Sequence, residues 1–170
     1  MTNTTDLNDL IANDGAERMR LVAESVFAVW NKALESRHTN PEGAITSART
    51  LLKTVCKRLL DERGVTYSET FDVPVLMRMV SEQLNLAPAQ RSTAAFKRIL
   101  AGAASVVDGL SSLPDTFGDA HEHGWPTAPR AHHAQLAVNM AGAIATFLVE
   151  AWEVRVEDDF LEIFDDSKGG

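Results

Sequence analysis

NPEGAITSARTLLKTVCKRLLDERG, residues 40–64, is the stretch that decides the fold class. It begins with Asn40, a common N-cap residue, followed by Pro41 at the first helical position and Glu42 near the positive end of the helix dipole. Apolar residues then recur every three or four positions as far as Leu59, and Arg63-Gly64 supplies a basic last residue and a glycine stop. The stretch therefore predicts an amphipathic helix with both ends marked.

The same spacing of apolar residues predicts four more helices. They cover about 15–37, 72–84, 88–112 and 130–154, whereas residues 65–71 form an extended stretch too short for a sheet. In the last helix the expected inward side carries Leu136, Met140, Ile144, Phe147/Leu148 and Trp152, and Gly142 permits a close helix crossing. The sequence predicts an all-α, single-domain bundle of about five main helices.

The chain divides into three parts in this interpretation. Residues 1–14 form an N-terminal segment, 15–154 the helical bundle, and 155–170 an acidic C-terminal segment. Within the bundle, residues 113–129 break the helical pattern with prolines, glycines and histidines. A helix–helix connection of this length is longer than usual, which favours a functional loop.

Composition limits the class of protein. The 170 residues are 45% hydrophobic and 24% charged, as in a soluble domain with a real core. No apolar run reaches the ~18 residues of a membrane span, so no membrane contact is expected. The single cysteine, Cys56, falls on the apolar side of its helix, where a core role is expected. A lone cysteine also suits a reducing compartment, so the expected location is cytoplasmic.

The net charge of the chain argues against binding to the phosphate backbone of nucleic acid. The net charge is −8, and seven of the 24 acidic residues lie in the last 18 positions, against Arg155 and Lys168. Proteins that bind phosphate backbones usually carry a basic excess. The acidic end weakens an RNA-binding hypothesis for the whole chain without excluding it for the rest.

The loop holds the candidate chemistry. Gly118 allows an unusual backbone conformation, Asp119 can cap a turn, and His121 can transfer protons near neutral pH. The structural alternative is that Asp119 and His121 lock the loop by hydrogen bonds to its backbone. Trp125 either stacks on a base or a partner, or packs the loop onto the bundle.

A metal site is the rival chemical hypothesis. His121 and His123, with Asp119 and Glu122, lie near the pair His132-His133 in the sequence. Adjacent helical residues point about 100° apart, so only one of that pair can enter a shared site. No cysteine is near and the spacing matches no zinc signature. The expectation is therefore no metal and no cofactor.

Five blocks of sequence carry a resemblance to a known family. They are ARTLLKTVCK (48–57), FKRILAG (96–102), VVDGL (106–110), GDAH (118–121) and HAQLAVNMAGAIATFLVEAW (133–152). In this order they resemble the abortive-infection C-terminal domain family of the HEPN superfamily, over about residues 40–153. The resemblance implies a helical bundle that often dimerises. Many such domains are metal-independent ribonucleases in toxin–antitoxin, CRISPR or antiviral defence systems.

The resemblance also implies site residues. His121 would act as general acid or base, Asp119 would orient the loop, and an arginine a few residues earlier would stabilise the phosphate. That position holds Pro114 in this chain, and Glu122 follows His121 where the family usually has glycine. Other arginines could substitute, and His133 stands where the family also tends to have histidine, capping or facing the loop. The candidate substitutes are Arg91, Arg98 and Arg130.

Three functional hypotheses remain open at this point. The first is a degenerate HEPN-like defence module, most naturally a homodimer, that binds RNA or a protein partner; Gly118, Trp125, Arg130 and His133 are its candidate binding residues. In it the acidic segment 155–170 is an interaction element. The second is a metal-independent endoribonuclease using His121, and the third is a histidine metal-binding helical protein.

Overall fold

The computed structural model describes residues 4–84, 98, 102–103, 105–110, 112 and 128–166. The protein is all-α: the described residues form four bounded helices and further helical residues within 98–112, and they contain no strand. α1 spans Thr4–Ser36, α2 Pro41–Glu62, α3 Val73–Gln83 and α5 Ala131–Asp166. α4 lies between α3 and α5, and its described residues, within 98–112, are all helical. The predicted fold class is confirmed.

α2 begins and ends where the sequence predicts. The Asn40 side chain accepts a hydrogen bond from the Gly43 backbone N–H at 3.0 Å, and Pro41 follows at the first helical position. Just after the C-terminal end of α2, Gly64 adopts a φ of 64°. Glycine adopts this left-handed conformation at little cost in free energy. The Val65 N–H then reaches back to the Leu60 carbonyl at 3.0 Å, which caps the helix.

The connection from α2 to α3 is held against α2 by ion pairs. Asp72 caps α3 by accepting from the Val73 N–H at 2.8 Å, and the same oxygen accepts from Arg49 at 2.9 Å. Lys57 pairs with Glu69 in the same connection. Residues 65–68 have no regular secondary structure, consistent with the expected non-helical stretch.

The core forms where α2 packs against α1, α3 and α5. α5 presents small residues to this contact, so its backbone comes close to its neighbours. At the α1–α5 crossing the indole ring of Trp30 lies directly over Gly142, where an added Cβ would stand 2.4 Å from ring atoms. The expected close crossing at Gly142 is therefore confirmed. The fully or almost fully buried α5 residues include Ala134, Ala137, Ala141, Ala145 and Leu148.

Two helices are longer than the sequence pattern predicts. α1 begins at Thr4 rather than near Gly15, because a single glycine inside a helix lowers stability without ending it. α5 continues to Asp166 rather than ending near Val154. No glycine or proline interrupts this segment, and Asp159 accepts ion pairs from Arg63 at 2.7 Å and Arg155 at 3.0 Å. These contacts hold the added turns against the end of α2.

Candidate functional site

The 113–129 loop contains most of the predicted site. Gly118, Asp119, His121 and Trp125 lie outside the described residues, as does Pro114. Their catalytic and binding roles stay predictions. The described part of the site is the beginning of α5, with Arg130 and His133.

His133 caps the beginning of α5. Its Nδ1 accepts a hydrogen bond from the Arg130 backbone N–H at 3.1 Å, while the Arg130 carbonyl accepts from the His133 and Ala134 N–H groups. This is the backward half of a capping box, with histidine in the position usually held by Glu or Gln. An accepting Nδ1 carries no proton, so the neutral ring holds its proton on Nε2. His133 thus fixes the chain where the loop joins α5.

The neighbouring ring belongs to His132. Its centroid lies 4.0 Å from that of His133, and the rings are tilted by 43°. Within the described part of the chain, no group of three or more His, Cys, Asp or Glu side chains could hold a metal ion. The other proposed ligands, His121 and His123, lie outside that part, so the metal hypothesis gains no support.

Most of the described arginines are engaged by carboxylates of the same chain. Six of them form ion pairs: Arg18, Arg20, Arg49, Arg58, Arg63 and Arg155. Arg78, Arg98 and Arg130 are exposed and form no ion pair with the described residues. Two of the candidate substitutes for the motif arginine, Arg98 and Arg130, are in this group, while Arg91 lies outside the described residues.

A groove between α1 and α2 was not foreseen from the sequence. It has a volume of about 550 Å³, with Val22 and Val29 on one wall and Leu51 and Val55 on the other. Val22 and Val29 recur at the three- and four-residue spacing that is also typical of core residues, so the sequence gives no signal of an opening. The polar rim is Lys57, Arg58, Asp61, Tyr67 and Glu69.

The groove's polar groups are satisfied by one another. The Tyr67 hydroxyl donates to Asp61 at 2.9 Å, and the Lys57 ammonium pairs with Glu69 and lies 5.5 Å from the centre of the Tyr67 ring. Partial desolvation and the carboxylates of Asp61 and Glu69 raise the pKa of Tyr67, so its phenol stays protonated at neutral pH. Arg58 on the rim pairs with Glu62 at 3.9 Å, so each cation of the rim already has a carboxylate partner.

Cys56 is a core residue, as predicted. Its side chain is fully buried on α2, and burial raises the pKa of the thiol to about 12. A thiol in this state is not a nucleophile at neutral pH.

The outward side of α5 differs from the prediction. Leu136 and Met140 were expected to face inward with Trp152, but they are 61% and 41% exposed, whereas Trp152 is buried. The small residues pack inward instead, because they allow α1 and α2 to approach the α5 backbone closely. An almost continuously apolar helix gives no clear spacing signal for its buried side.

These outward residues form a row along α5, here termed the outer stripe, which Glu150, Glu157 and Asp158 flank and interrupt beyond Phe147. Its members recur every three, four or seven residues along one side of α5. Val154 and Leu161 are 57% and 65% exposed, and Phe147 is half-buried. The outer stripe consists of Leu136, Met140, Ala143, Phe147, Val154 and Leu161.

The apolar character of α5 also raises the question of whether this helix spans a membrane. By length and composition the segment Ala131–Asp159 could cross a membrane, with a mean hydropathy of 1.4 over its best 18 residues. Buried residues make up 44% of that window, and α5 packs against both α1 and α2. A core helix of a soluble bundle passes the same test, so this helix alone does not indicate a membrane protein.

The packing of α1, α2, α3 and α5 thus defines a helical-bundle domain. Comparison with known families matches residues 24–152 to Abi_C, a HEPN-like domain. The chain belongs to this family, and the resemblance identified from the sequence blocks is confirmed. No curated protein and no solved structure matches the chain.

Proposed function

We propose that the chain is a HEPN-like defence module that acts by binding a partner, with an incomplete ribonuclease centre. The observation that carries this proposal is Pro114 at the position of the motif arginine, while Gly118, Asp119 and His121 remain. RNA cleavage through the ribose 2′-hydroxyl builds negative charge on the phosphorane. Electrostatic stabilisation of such charge is usually the largest single catalytic contribution, and proline has neither charge nor donor.

The ion pairs of the described arginines support the same proposal. Six of these guanidinium groups already neutralise carboxylates of the chain, so binding a phosphate would require breaking a pair. The net charge of −8 acts in the same direction, because it repels a polyanion. A protein partner therefore fits the chain better than RNA.

The alternative is a metal-independent endoribonuclease. The observation that favours it is the exposed Arg130 side chain, free of ion pairs in the described part, at the end of the loop that contains His121. In this case His121 transfers protons to and from the ribose and leaving oxygens, and Arg130 supplies the cation. The expected contribution of His121 is about 10²–10⁴-fold in rate.

Incubation of the purified chain with total bacterial RNA tests the proposal. The wild type and His121→Ala are compared with and without a chelator, after far-UV circular dichroism shows that both are folded. The proposal expects no cleavage above the His121→Ala background. Cleavage that resists the chelator and disappears in both His121→Ala and Arg130→Ala overturns it in favour of the ribonuclease. Cleavage that disappears only with the chelator overturns it in favour of the histidine metal site.

A further inference from the structure

We propose that the outer stripe of α5 docks a basic amphipathic helix of a partner protein. The inference rests on the proposed binding function and names the chemistry of the partner. It concerns α5 alone, so it does not depend on the loop that contains His121.

The outer stripe has the dimensions of a helix-docking surface. It extends from Leu136 to Leu161, which is about 37 Å along the helix axis. Its large side chains project into solvent from a rigid helix whose opposite side is packed in the core. An amphipathic helix with apolar residues at the same three- and four-residue spacing fits such a surface.

The fold does not require the most exposed of these apolar residues, although Phe147 also packs against the core. The buried large residues of α5 are Val138, Ile144, Leu148, Val149 and Trp152. A polar residue in place of Leu136 or Leu161 would leave that core intact. Exposed apolar residues aligned on one side of a helix commonly mark a protein–protein contact.

Carboxylates on both sides of the outer stripe give the partner its charge. Glu150 and Glu157 lie along one edge, and Asp158 and Glu162 along the other, by helical spacing. All four are exposed and form no ion pair with the described residues. A helix that presents lysine or arginine beside its apolar residues would neutralise them.

The same carboxylates argue against RNA and against a second copy of this chain as the molecule that binds the outer stripe. RNA would meet the acidic edges with no cation to offset them. In a second copy of this chain, α5 has no lysine or arginine from residue 131 to residue 154 to place against them. A contact between the α5 helices of two copies would therefore leave these carboxylates unneutralised, which favours a basic helix from another protein.

A designed peptide tests this complementarity directly. The probe is a synthetic 25-residue helix with leucine at the a and d positions and lysine at the flanking positions. It is labelled and titrated with the full chain while fluorescence anisotropy is recorded. One control peptide carries glutamate in place of lysine, and another is a scrambled sequence of the lysine peptide. The expected result is that only the lysine peptide binds, with an affinity that falls as salt is added.

Variants of the chain localise the binding. Val154→Asp combined with Leu161→Asp should abolish it, whereas Leu21→Asp, an exposed leucine on α1, should leave it unchanged. Glu157→Lys combined with Glu162→Lys should weaken the binding of the lysine peptide about tenfold, because like charges then oppose each other. The same variant should bind the glutamate peptide, whose charge is then opposite to that of the new lysines. Circular dichroism confirms that each variant is folded.

Three results would overturn the inference. The first is equal binding of the lysine peptide to the Val154→Asp, Leu161→Asp variant and to wild type, and the second is equal binding of the scrambled peptide. The third is a wild-type dimer in sedimentation that this double variant makes monomeric, which assigns the outer stripe to a second copy. RNA cleavage is measured separately, so failure of the docking surface is distinguishable from failure of the proposed function.

Discussion

The inner and outer sides of α5 are both apolar, but they differ in residue size and in surroundings. The inner side combines alanines and Gly142 with a few large residues, and it packs closely against α1 and α2. The outer stripe carries leucine, methionine and valine in solvent, beside carboxylates that form no ion pair with the described residues. The fold explains the inner side, whereas docking of a partner is the proposed explanation for the outer stripe. Apolar content alone therefore does not tell which side of a long helix is the core.

Replacing one leucine by alanine on each side of α5 should give the largest difference in the free energy of unfolding. Leu148 is fully buried, so Leu148→Ala should lower the free energy of unfolding by about 2–5 kcal/mol. Leu136 is mostly exposed, and Leu136→Ala should change it by less than about 0.5 kcal/mol. Urea unfolding followed by circular dichroism measures both. Equal losses would contradict the assignment of the two sides.

A substitution at the α1–α5 crossing should give the next largest change in the free energy of unfolding. In Gly142→Ala the new methyl group meets the Trp30 ring, and overpacking of this kind should cost about 1–3 kcal/mol. Gly109→Ala on α4 is the matched control, because an added Cβ there meets nothing within 4 Å. That control should be neutral or stabilising by up to about 1 kcal/mol, since alanine favours the helix. If Gly142→Ala were as stable as the control, the crossing would not be close.

The attachment of the C-terminal turns of α5 should give a smaller effect. Asp159 accepts ion pairs from Arg63 and Arg155, and the Arg63 guanidinium lies 4.9 Å from the centre of the Trp152 ring. Asp159→Asn should cost roughly 1 kcal/mol of unfolding free energy and speed amide hydrogen exchange after residue 155. Glu157→Gln is the control, because Glu157 is exposed and unpaired in the described part. Identical exchange in both variants would mean that these pairs do not hold the helix end.

The thiol of Cys56 reports on the inner packing without altering it. Because burial raises its pKa to about 12, alkylation should be negligible in the native state at pH 7–9. Labelling by iodoacetamide followed by mass spectrometry should become fast only in denaturant. Gly142→Ala should accelerate native labelling modestly, by raising the population of opened molecules. Rapid labelling of the native wild type would contradict a closed core.

The fold was largely predictable because its signals are local. Asn40-Pro41 and Arg63-Gly64 mark the ends of α2, and Asp72-Val-Pro74 marks the start of α3, each through a cap that depends on neighbouring residues. The extent of α5 was not predictable, because the pairing of Asp159 with Arg63 joins residues far apart in the sequence. The inward positions of Ile144, Leu148 and Trp152 and the close crossing at Gly142 were predicted, whereas Leu136 and Met140 were wrongly placed inside because an almost continuously apolar helix gives no clear spacing signal.

For the candidate site, the sequence predicted which residue types take part but not how they are arranged in space. Family membership is confirmed, but the two site assignments that the resemblance implies, a catalytic His121 and Pro114 in place of the motif arginine, stay predictions. The capping role of His133 agrees with one of its expected roles, because a histidine three residues into a helix can reach back to the preceding N–H. The α1–α2 groove and the outer stripe had no sequence signal, since their apolar residues have the same spacing as core residues.

The central claim is that the ribonuclease centre lacks its motif arginine and that this chain therefore binds rather than cuts. Pro114→Arg tests it most directly, by restoring the motif arginine in front of His121. Cleavage of total RNA in the presence of a chelator is compared for the wild type, Pro114→Arg, and Pro114→Arg combined with His121→Ala. The account predicts cleavage by Pro114→Arg alone. Chelator-resistant cleavage by the wild type, or a folded Pro114→Arg chain without activity, would contradict it.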